Sequence, residues 1–213
     1  MYITWLGHAC FRLQGKEVTL VTDPYEESIG LKLPRNLTAD IVTVSHNHYD
    51  HNNVSAVKGN PFIISDPGEY EVKKVFIYGI SSYHDKSRGK ERGLNTIYLI
   101  KMDNLSICHL GDLGHPLTEE QLNQLESVDI LMIPVGGVYT INASESLKVI
   151  SQIEPRIVIP MHYKIPGLKV DIAALGKFCK EAGVSEKEKI KKLKITQKDL
   201  PQEETKIVLM EKS

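Results

Sequence analysis

The stretch His46-Asn47-His48-Tyr49-Asp50-His51 places three imidazoles and a carboxylate within six residues. The apolar run before it, Ile41-Val42-Thr43-Val44, predicts a buried strand, so the cluster occupies the loop at that strand's C-terminal end. On extended backbone His46 and His48 project to the same side and can grip one metal ion. The turn that follows directs Asp50 and His51 toward a second, neighbouring position. Imidazole nitrogen and carboxylate oxygen are both ordinary zinc ligands. A single histidine at a strand end is most often a hydrogen-bonded core or rim residue. Four such groups in one turn serve no packing purpose, because each has to be desolvated, and the density points to a metal site.

Upstream of the cluster, Met1 to Leu6, Cys10 to Leu13 and Val18 to Val21 predict three short antiparallel strands, divided at Gly7 and Gly15 and ending at Asp23-Pro24. His8 stands at the first turn and Asp23 at the end of the third strand. Residues 25–38 carry Gly30, Pro34 and Asn36 and read as a surface loop forming part of a rim. Downstream come a short helical piece at 53–58, a strand at 62–65, a turn at Asp66-Pro67-Gly68, and a strand at 75–80 that delivers Ser81-Ser82-Tyr83-His84. The charged stretch 85–92 is a solvated loop. Lys86, Arg88 and Arg92 within it either serve solubility alone or hold an anionic group at a substrate entrance. Strands at 95–102 and 105–110 form a hairpin over Asp103-Asn104 and lead to His109-Leu110-Gly111-Asp112.

In the second half, Thr118-Glu119-Glu120-Gln121 has the form of a capping box for a helix running to about residue 126. A buried strand at 130–135 breaks at Gly136-Gly137. An amphipathic helix at 143–153 and a strand at 156–161, terminated by His162, follow. Asp171 is placed to cap a helix whose inner face is Ile172, Leu175, Phe178 and Cys179, with Gly183 as its stop. Residues 187–194 read as a solvated charge run, and 206–210 as a last strand in need of a sheet edge. This succession predicts an α/β protein in which helices cover sheet.

The 213 residues have an ordinary globular composition and form, in the simplest division, one domain over 1–213. A net charge of −1 supplies no polycation for a phosphate backbone, so nucleic acid is not the expected partner; a small-molecule substrate is. Cys10, Cys108 and Cys179 are odd in number and widely spaced, which predicts small buried hydrophobes in a reducing compartment. With no apolar stretch long enough to cross a bilayer and no apolar leader, a cytoplasmic location is expected.

Of eight histidines, five lie outside the cluster, and four of these, His8, His84, His109 and His162, fall at or beside a predicted strand end; His115 is the exception. The complete His-x-His-x-Asp-His motif at His46, His48, Asp50 and His51, followed in order by His84, Gly111-Asp112 and His162, resembles the metallo-β-lactamase superfamily. Trp5-Leu6-Gly7-His8, Thr22-Asp23-Pro24 and Ile159-Pro160-Met161-His162-Tyr163 look more specifically like its ascorbate-phosphate-lactonase-like branch. The resemblance covers residues 1 to about 165.

It implies a four-layer αββα sandwich, with one metal on His46, His48 and His84, a second on Asp50, His51 and His162, and Asp112 bridging them. His109 is near enough to Asp112 to compete with His84; His84 is favoured because it alone closes a strand and opens a loop, which leaves His109 to orient a ligand. His8 and Asp23 take places behind the ligands. Tyr139 and Tyr163 are either donors to an oxyanion or leaving group, or packed aromatics. Two zinc ions per chain are expected, with manganese and iron compatible with the same ligands. The implied activity is a metal-dependent hydrolase that uses a metal-bound hydroxide, with Asp50 holding the water, on a small anionic ester, lactone or phosphodiester. The alternatives are a nuclease-like phosphodiesterase and a non-catalytic metal-binding or regulatory protein on the same scaffold.

Overall fold

The computed structural model describes residues Met1–Ser213. In chain order the first strands are β1 (Tyr2–Gly7), β2 (Cys10–Gln14), β3 (Thr19–Thr22), β4 (Ile41–Thr43), β5 (Phe62–Ile64), β6 (Gly68–Val72), β7 (Val75–Tyr83), β8 (Leu94–Met102) and β9 (Leu105–His109). After them come α1 (Glu119–Gln124), β10 (Ile130–Pro134), α2 (Ala143–Ile153), β11 (Ile157–Met161) and α3 (Leu175–Ala182). Four two-residue strands complete the chain: β12 (Lys189–Ile190), β13 (Leu193–Lys194), β14 (Lys206–Ile207) and β15 (Leu209–Met210).

Strand alternation sorts the side chains of the first sheet, ordered β13-β1-β2-β3-β4-β5, onto two faces. Ile3, Trp5, Phe11, Leu13, Leu20 and Ile41 enter the main core, while Leu6, Cys10, Val21 and Val42 enter a smaller one behind it. The second sheet runs β14-β11-β10-β9-β8-β7-β6. Its β9, β10, β11 and β14 are parallel, and β10 and β11 are buried at every residue, as strands covered on both sides must be. β12 and β15 pair separately. Helices α2 and α3 contribute Val149, Leu175 and Phe178 to the main core. The four-layer α/β arrangement is therefore present, with one modification. The outer layer over the first sheet is built by the 25–38 segment and short 3-10 turns at Glu27–Ile29 and Val54–Ala56 rather than by long helices. No helix is long and apolar enough to cross a membrane.

The 25–38 segment is thus more than a surface rim. Tyr25, Ile29, Leu31 and Leu37 are buried in the smaller core, and the Tyr25 hydroxyl donates to the Leu6 carbonyl at 2.6 Å. Gly30 takes φ +90°, and a Cβ there would stand 2.1 Å from the Gly167 carbonyl oxygen, so only glycine lets the two loops meet. The Lys169 amide donates to Ile29 O at 2.7 Å beside that contact.

Local signals fail where tertiary pairing overrides them. Asp171 does not cap α3: the helix starts at Leu175 with Ala174 as its N-cap, and Asp171 is exposed. Lys164 N donates to Ala173 O and Ala173 N to Gly136 O, which keeps the backbone extended up to Ala174. Ile172 accordingly packs in the smaller core instead of on the helix. β6 stands where only a turn was expected, the 187–194 charge run contains two edge strands, and the last strand is split between β11 and β12 as partners. The Thr118 capping box forms as expected, and α2 has a second one, between Asn142 and Glu145.

The two sheets are joined beside the motif. Thr96 N donates to Ser45 O at 2.8 Å, the Tyr98 hydroxyl to Val44 O at 3.0 Å, and His162 N to His8 O at 3.1 Å.

Candidate metal centre

Each ligand implied by the sequence, with His8 and Asp23 behind them, follows the C-terminal end of a strand: His8 after β1, Asp23 after β3, His46 to His51 after β4, His84 after β7, Asp112 after β9 and His162 after β11. Two facing sheets bring these ends to one edge. His8, Asp23 and His162 turn off their strands with φ of 54°, 38° and 51°. That left-handed conformation costs a side-chain-bearing residue about 1–3 kcal/mol, and the surrounding hydrogen bonds hold it.

The geometry centres on one oxygen. Asp112 Oδ2 lies 3.3 Å from His51 Nε2, 3.3 Å from His84 Nε2 and 3.2 Å from His162 Nε2, three imidazoles from three separate loops. The ligand-type atoms of His46, His48 and His84 lie within 4.8 Å of one another, as do those of His8, Asp50, His51 and His162. His46, His51 and Asp112 form a third such group that links the two. The structure therefore assembles the whole cluster implied by the sequence, and adds His8 to its second half.

Behind the cluster, Asp23 orients two of the imidazoles. His51 Nδ1 donates to Asp23 Oδ2 at 2.9 Å, and Ser45 donates to the same carboxylate through its hydroxyl at 2.6 Å and its amide at 2.7 Å. With its own proton committed to Asp23, Ser45 Oγ accepts from His46 Nδ1 at 2.9 Å. Both rings are thereby held as Nδ1–H tautomers, with Nε2 free toward the centre. His46 Nε2 and Asp112 Oδ1 are buried and have no hydrogen-bond partner, and His51 Nε2 meets only the Asp112 carboxylate. Each such atom costs about 1–3 kcal/mol, a cost that a bound cation removes, so the donor set fits divalent metal.

The charges tell the same story. Burial would raise Asp112, but the His162 and His51 charges and their hydrogen bonds hold it well below the usual carboxylate range. Burial would lower His51, yet Asp112 and Asp23 lift it well above an ordinary imidazole; His84 is raised by Asp112 against the same opposition. Burial also opposes the ionised form of Asp50, and the hydrogen bond from His8 and the His51 charge overcome it. His8 is lowered to about 4, first by burial and then by the His162 charge. Without metal, protons on His51 and His84 supply the positive charge that Asp112 demands.

Two other expectations are redrawn and one is kept. His109 spends both nitrogens on backbone, Nε2 donating to Ala9 O at 2.8 Å and Nδ1 accepting from Gly111 N at 3.2 Å, so it braces the Asp112 turn without touching a ligand side chain. The Tyr163 hydroxyl donates to Met210 O and its ring packs 4.9 Å from Trp5, which removes it as a donor to a reacting group. Tyr139 does border the cleft over the cluster. That cleft, of about 510 Å³, has His48, Asp50, His84, Asp112 and His162 as its floor.

Two contributors carried no readable signal. Asn95, one residue among many on β8, accepts from Asp112 N at 2.9 Å and donates to Leu110 O at 3.0 Å and Ser82 Oγ at 2.7 Å, fixing the Gly111-Asp112 turn. Lys169, on the loop that meets Gly30, forms part of the rim. Because Asp23 accepts three hydrogen bonds with its two oxygens, Asp23→Asn forces an amide against a donor. Metal affinity then falls about 10- to 100-fold, measured by competition with a chromogenic chelator.

A His/Asp cluster at the joined edge of two facing sheets defines a class of metal-binding α/β protein, and comparison with known proteins places the chain within it. Residues 2–162 match the family described as the beta-lactamase superfamily domain. A UPF0173 metal-dependent hydrolase of Thermoplasma acidophilum is 31% identical over 190 residues, covering 76% of this chain and 82% of the relative. A solved structure from Thermotoga maritima, assigned as a Zn-dependent hydrolase of the metallo-β-lactamase superfamily, is 37% identical with a TM-score of 0.80 over 98% of this chain and 97% of its own. The fold of Igni18, a metallo hydrolase of Ignicoccus hospitalis, is shared at 20% identity, with a TM-score of 0.67 over 92% of this chain and 99% of that one. The chain belongs to the metallo-β-lactamase superfamily and is one of its metal-dependent hydrolases.

Proposed function

We propose that this hydrolase works with two divalent ions, zinc by default, on a small anionic ester, lactone or phosphodiester. His46, His48 and His84 would hold one ion, Asp50, His51 and His162 the other, and Asp112 would bridge them. The observation that carries this reading is the near-equal approach of Asp112 Oδ2 to three imidazole nitrogens. Bound ions supply Lewis acidity, polarising a carbonyl or phosphoryl oxygen and acidifying water toward neutrality.

The chain's own groups do the rest. Asp50, half-buried at the cleft floor and ionised, has Oδ2 fixed by His8 Nε2 at 3.1 Å. It orients the attacking water, accepts its proton and returns that proton to the leaving oxygen. His8 is itself locked, its ring 4.1 Å from that of His162 and its carbonyl taking the Trp5 indole N–H at 3.0 Å. Tyr139, which lines the cleft, would donate to the substrate. A cleft of about 510 Å³ lies within the usual range for small-molecule sites. With a net charge of −1, a small substrate is favoured over a polynucleotide. The intact ligand set together with Asp50 favours catalysis over a purely regulatory role.

Elemental analysis of the purified chain, paired with turnover on an ester, lactone and phosphodiester panel before and after chelation, tests this. Two equivalents of metal and chelator-sensitive turnover are expected. A metal-replete protein inert on the whole panel would overturn the reading.

A further inference from the structure

We infer that Arg92 and Lys169 form the binding site for an anionic group, a phosphate or a carboxylate, that the substrate carries at a distance from the bond being cleaved. The inference rests on the hydrolase reading and specifies what that cleft selects.

The 85–93 loop is charged but not loose. Asp85, buried directly after His84, accepts four backbone amides: Ser87 at 2.7 Å and Gly89 at 2.9 Å on Oδ1, Glu91 at 3.0 Å and Arg92 at 2.8 Å on Oδ2. His84 N donates to Gly93 O at 3.1 Å and closes the loop on itself. Arg92 is thereby pinned to the same carboxylate that adjoins a proposed metal ligand. Its guanidinium lies 5.5 Å over the Tyr139 ring, an arrangement that covers one face and leaves the N–H edge free for a planar oxyanion. Its single carboxylate neighbour is Glu91, exposed and 3.7 Å away, a weak pairing.

Arg92 also borders three clefts: the one over the metal cluster, one of about 280 Å³ beside Glu145, and one of about 360 Å³ beyond His46 and His48. A substrate that reaches past the metals toward either side cleft meets this guanidinium. Lys169 enters the first cleft from another loop, with its backbone fixed to Ile29 and its ammonium in no ion pair, even though Asp171 shares the rim. Lys86, by contrast, is paired with Glu145, and Arg88 is exposed and borders none of these clefts. Of the three loop cations marked in the sequence, only Arg92 borders the cleft over the cluster, and its one carboxylate partner is the weakly held Glu91.

The test uses the zinc-loaded full chain and two esters that differ by one distal carboxylate, p-nitrophenyl propionate and p-nitrophenyl hemisuccinate, with the uncatalysed rate of each subtracted. The wild type favours the hemisuccinate, and added salt weakens the preference. R92Q and K169Q each reduce that preference about tenfold or more, through KM, while their zinc content stays at the wild-type value. R88Q, a charge-matched change on the same loop, keeps the preference. If wild type shows no preference, or if R92Q and K169Q retain it, the inference is overturned. If neither ester is turned over, calorimetric binding of glycerol 3-phosphate and of succinate decides. Binding lost in R92Q and kept in R88Q sustains the anion site while the carboxylic-ester part of the proposed function falls, and equal binding in both variants overturns the site. The tighter ligand identifies the anion.

Discussion

Asp112→Asn leaves a folded protein that has lost at least one of the two proposed metal equivalents and turns over on the order of 10³-fold more slowly or worse, beyond the loss expected from a single missing donor. The carboxylate offers one oxygen to three imidazoles at 3.2–3.3 Å, and an amide would present there either a weaker neutral acceptor or an N–H aimed at another donor. The backbone stays in place, because the amide of residue 112 is held by Asn95 whatever its side chain. Metal content by elemental analysis, turnover and a thermal melt of the metal-free protein check this together. Two retained equivalents with wild-type turnover would remove Asp112 from the bridge.

Chelation lowers the melting temperature strongly, and by an amount that depends on pH. An ion present at about a thousand times its Kd stabilises by about 4 kcal/mol, and at this chain length each kcal/mol moves Tm by roughly 2–4 °C, so roughly 8–16 °C is lost per ion. In the metal-free protein two sets of histidines then pull in opposite directions. His8, His46, His48 and His109 are lowered, chiefly by burial, below the 6.5 of the free side chain. The unfolded chain binds more protons at these positions, so stability falls as pH drops below 6.5, for His8 down to about 4. His51 and His84 are raised by Asp112 against the penalty of burial. Their contribution is complete below 6.5 and is lost as pH rises through their folded values. Metal-free stability therefore peaks close to pH 6.5, while metal affinity climbs with pH because His51 and His84 must shed protons to bind. Differential scanning fluorimetry across pH, with and without chelator, reads both trends. A metal-free Tm that rises steadily from pH 6.5 to 8.5 would contradict the assignment of His51 and His84 as the protonated pair.

The motif was legible because its four groups are contiguous and because a strand-terminal histidine announces itself against apolar sequence. His84 and His162 were found that way, and Asp112 through the Gly-Asp that closes a hairpin. Groups acting from the middle of an element gave no such mark. Asn95 lies in a strand and is distinguished only by which turn folds back over it. Asp171 carried a capping signal, and the extended pairing of Lys164 with Ala174 overrode it. β6 alternates exposed glutamates with half-buried Tyr70 and Val72 at a sheet edge, too polar a pattern to announce a strand beside a Pro-Gly turn. His109 shows the limit most clearly: its spacing equals that of a ligand, and only the direction of its two nitrogens disqualifies it.

Residues of the second sheet reach back to loops of the first through Thr96 with Ser45 and His162 with His8. During synthesis, then, His46 to His51 leave the ribosome more than a hundred residues ahead of His162 and have no Asp112 to close upon. A nascent fragment can sequester a stray ion only loosely and in the wrong company. Full metallation belongs after translation, and an N-terminal half expressed alone, which keeps His46, His48 and His84 but lacks Asp112 and His162, should hold zinc far more weakly than the whole chain.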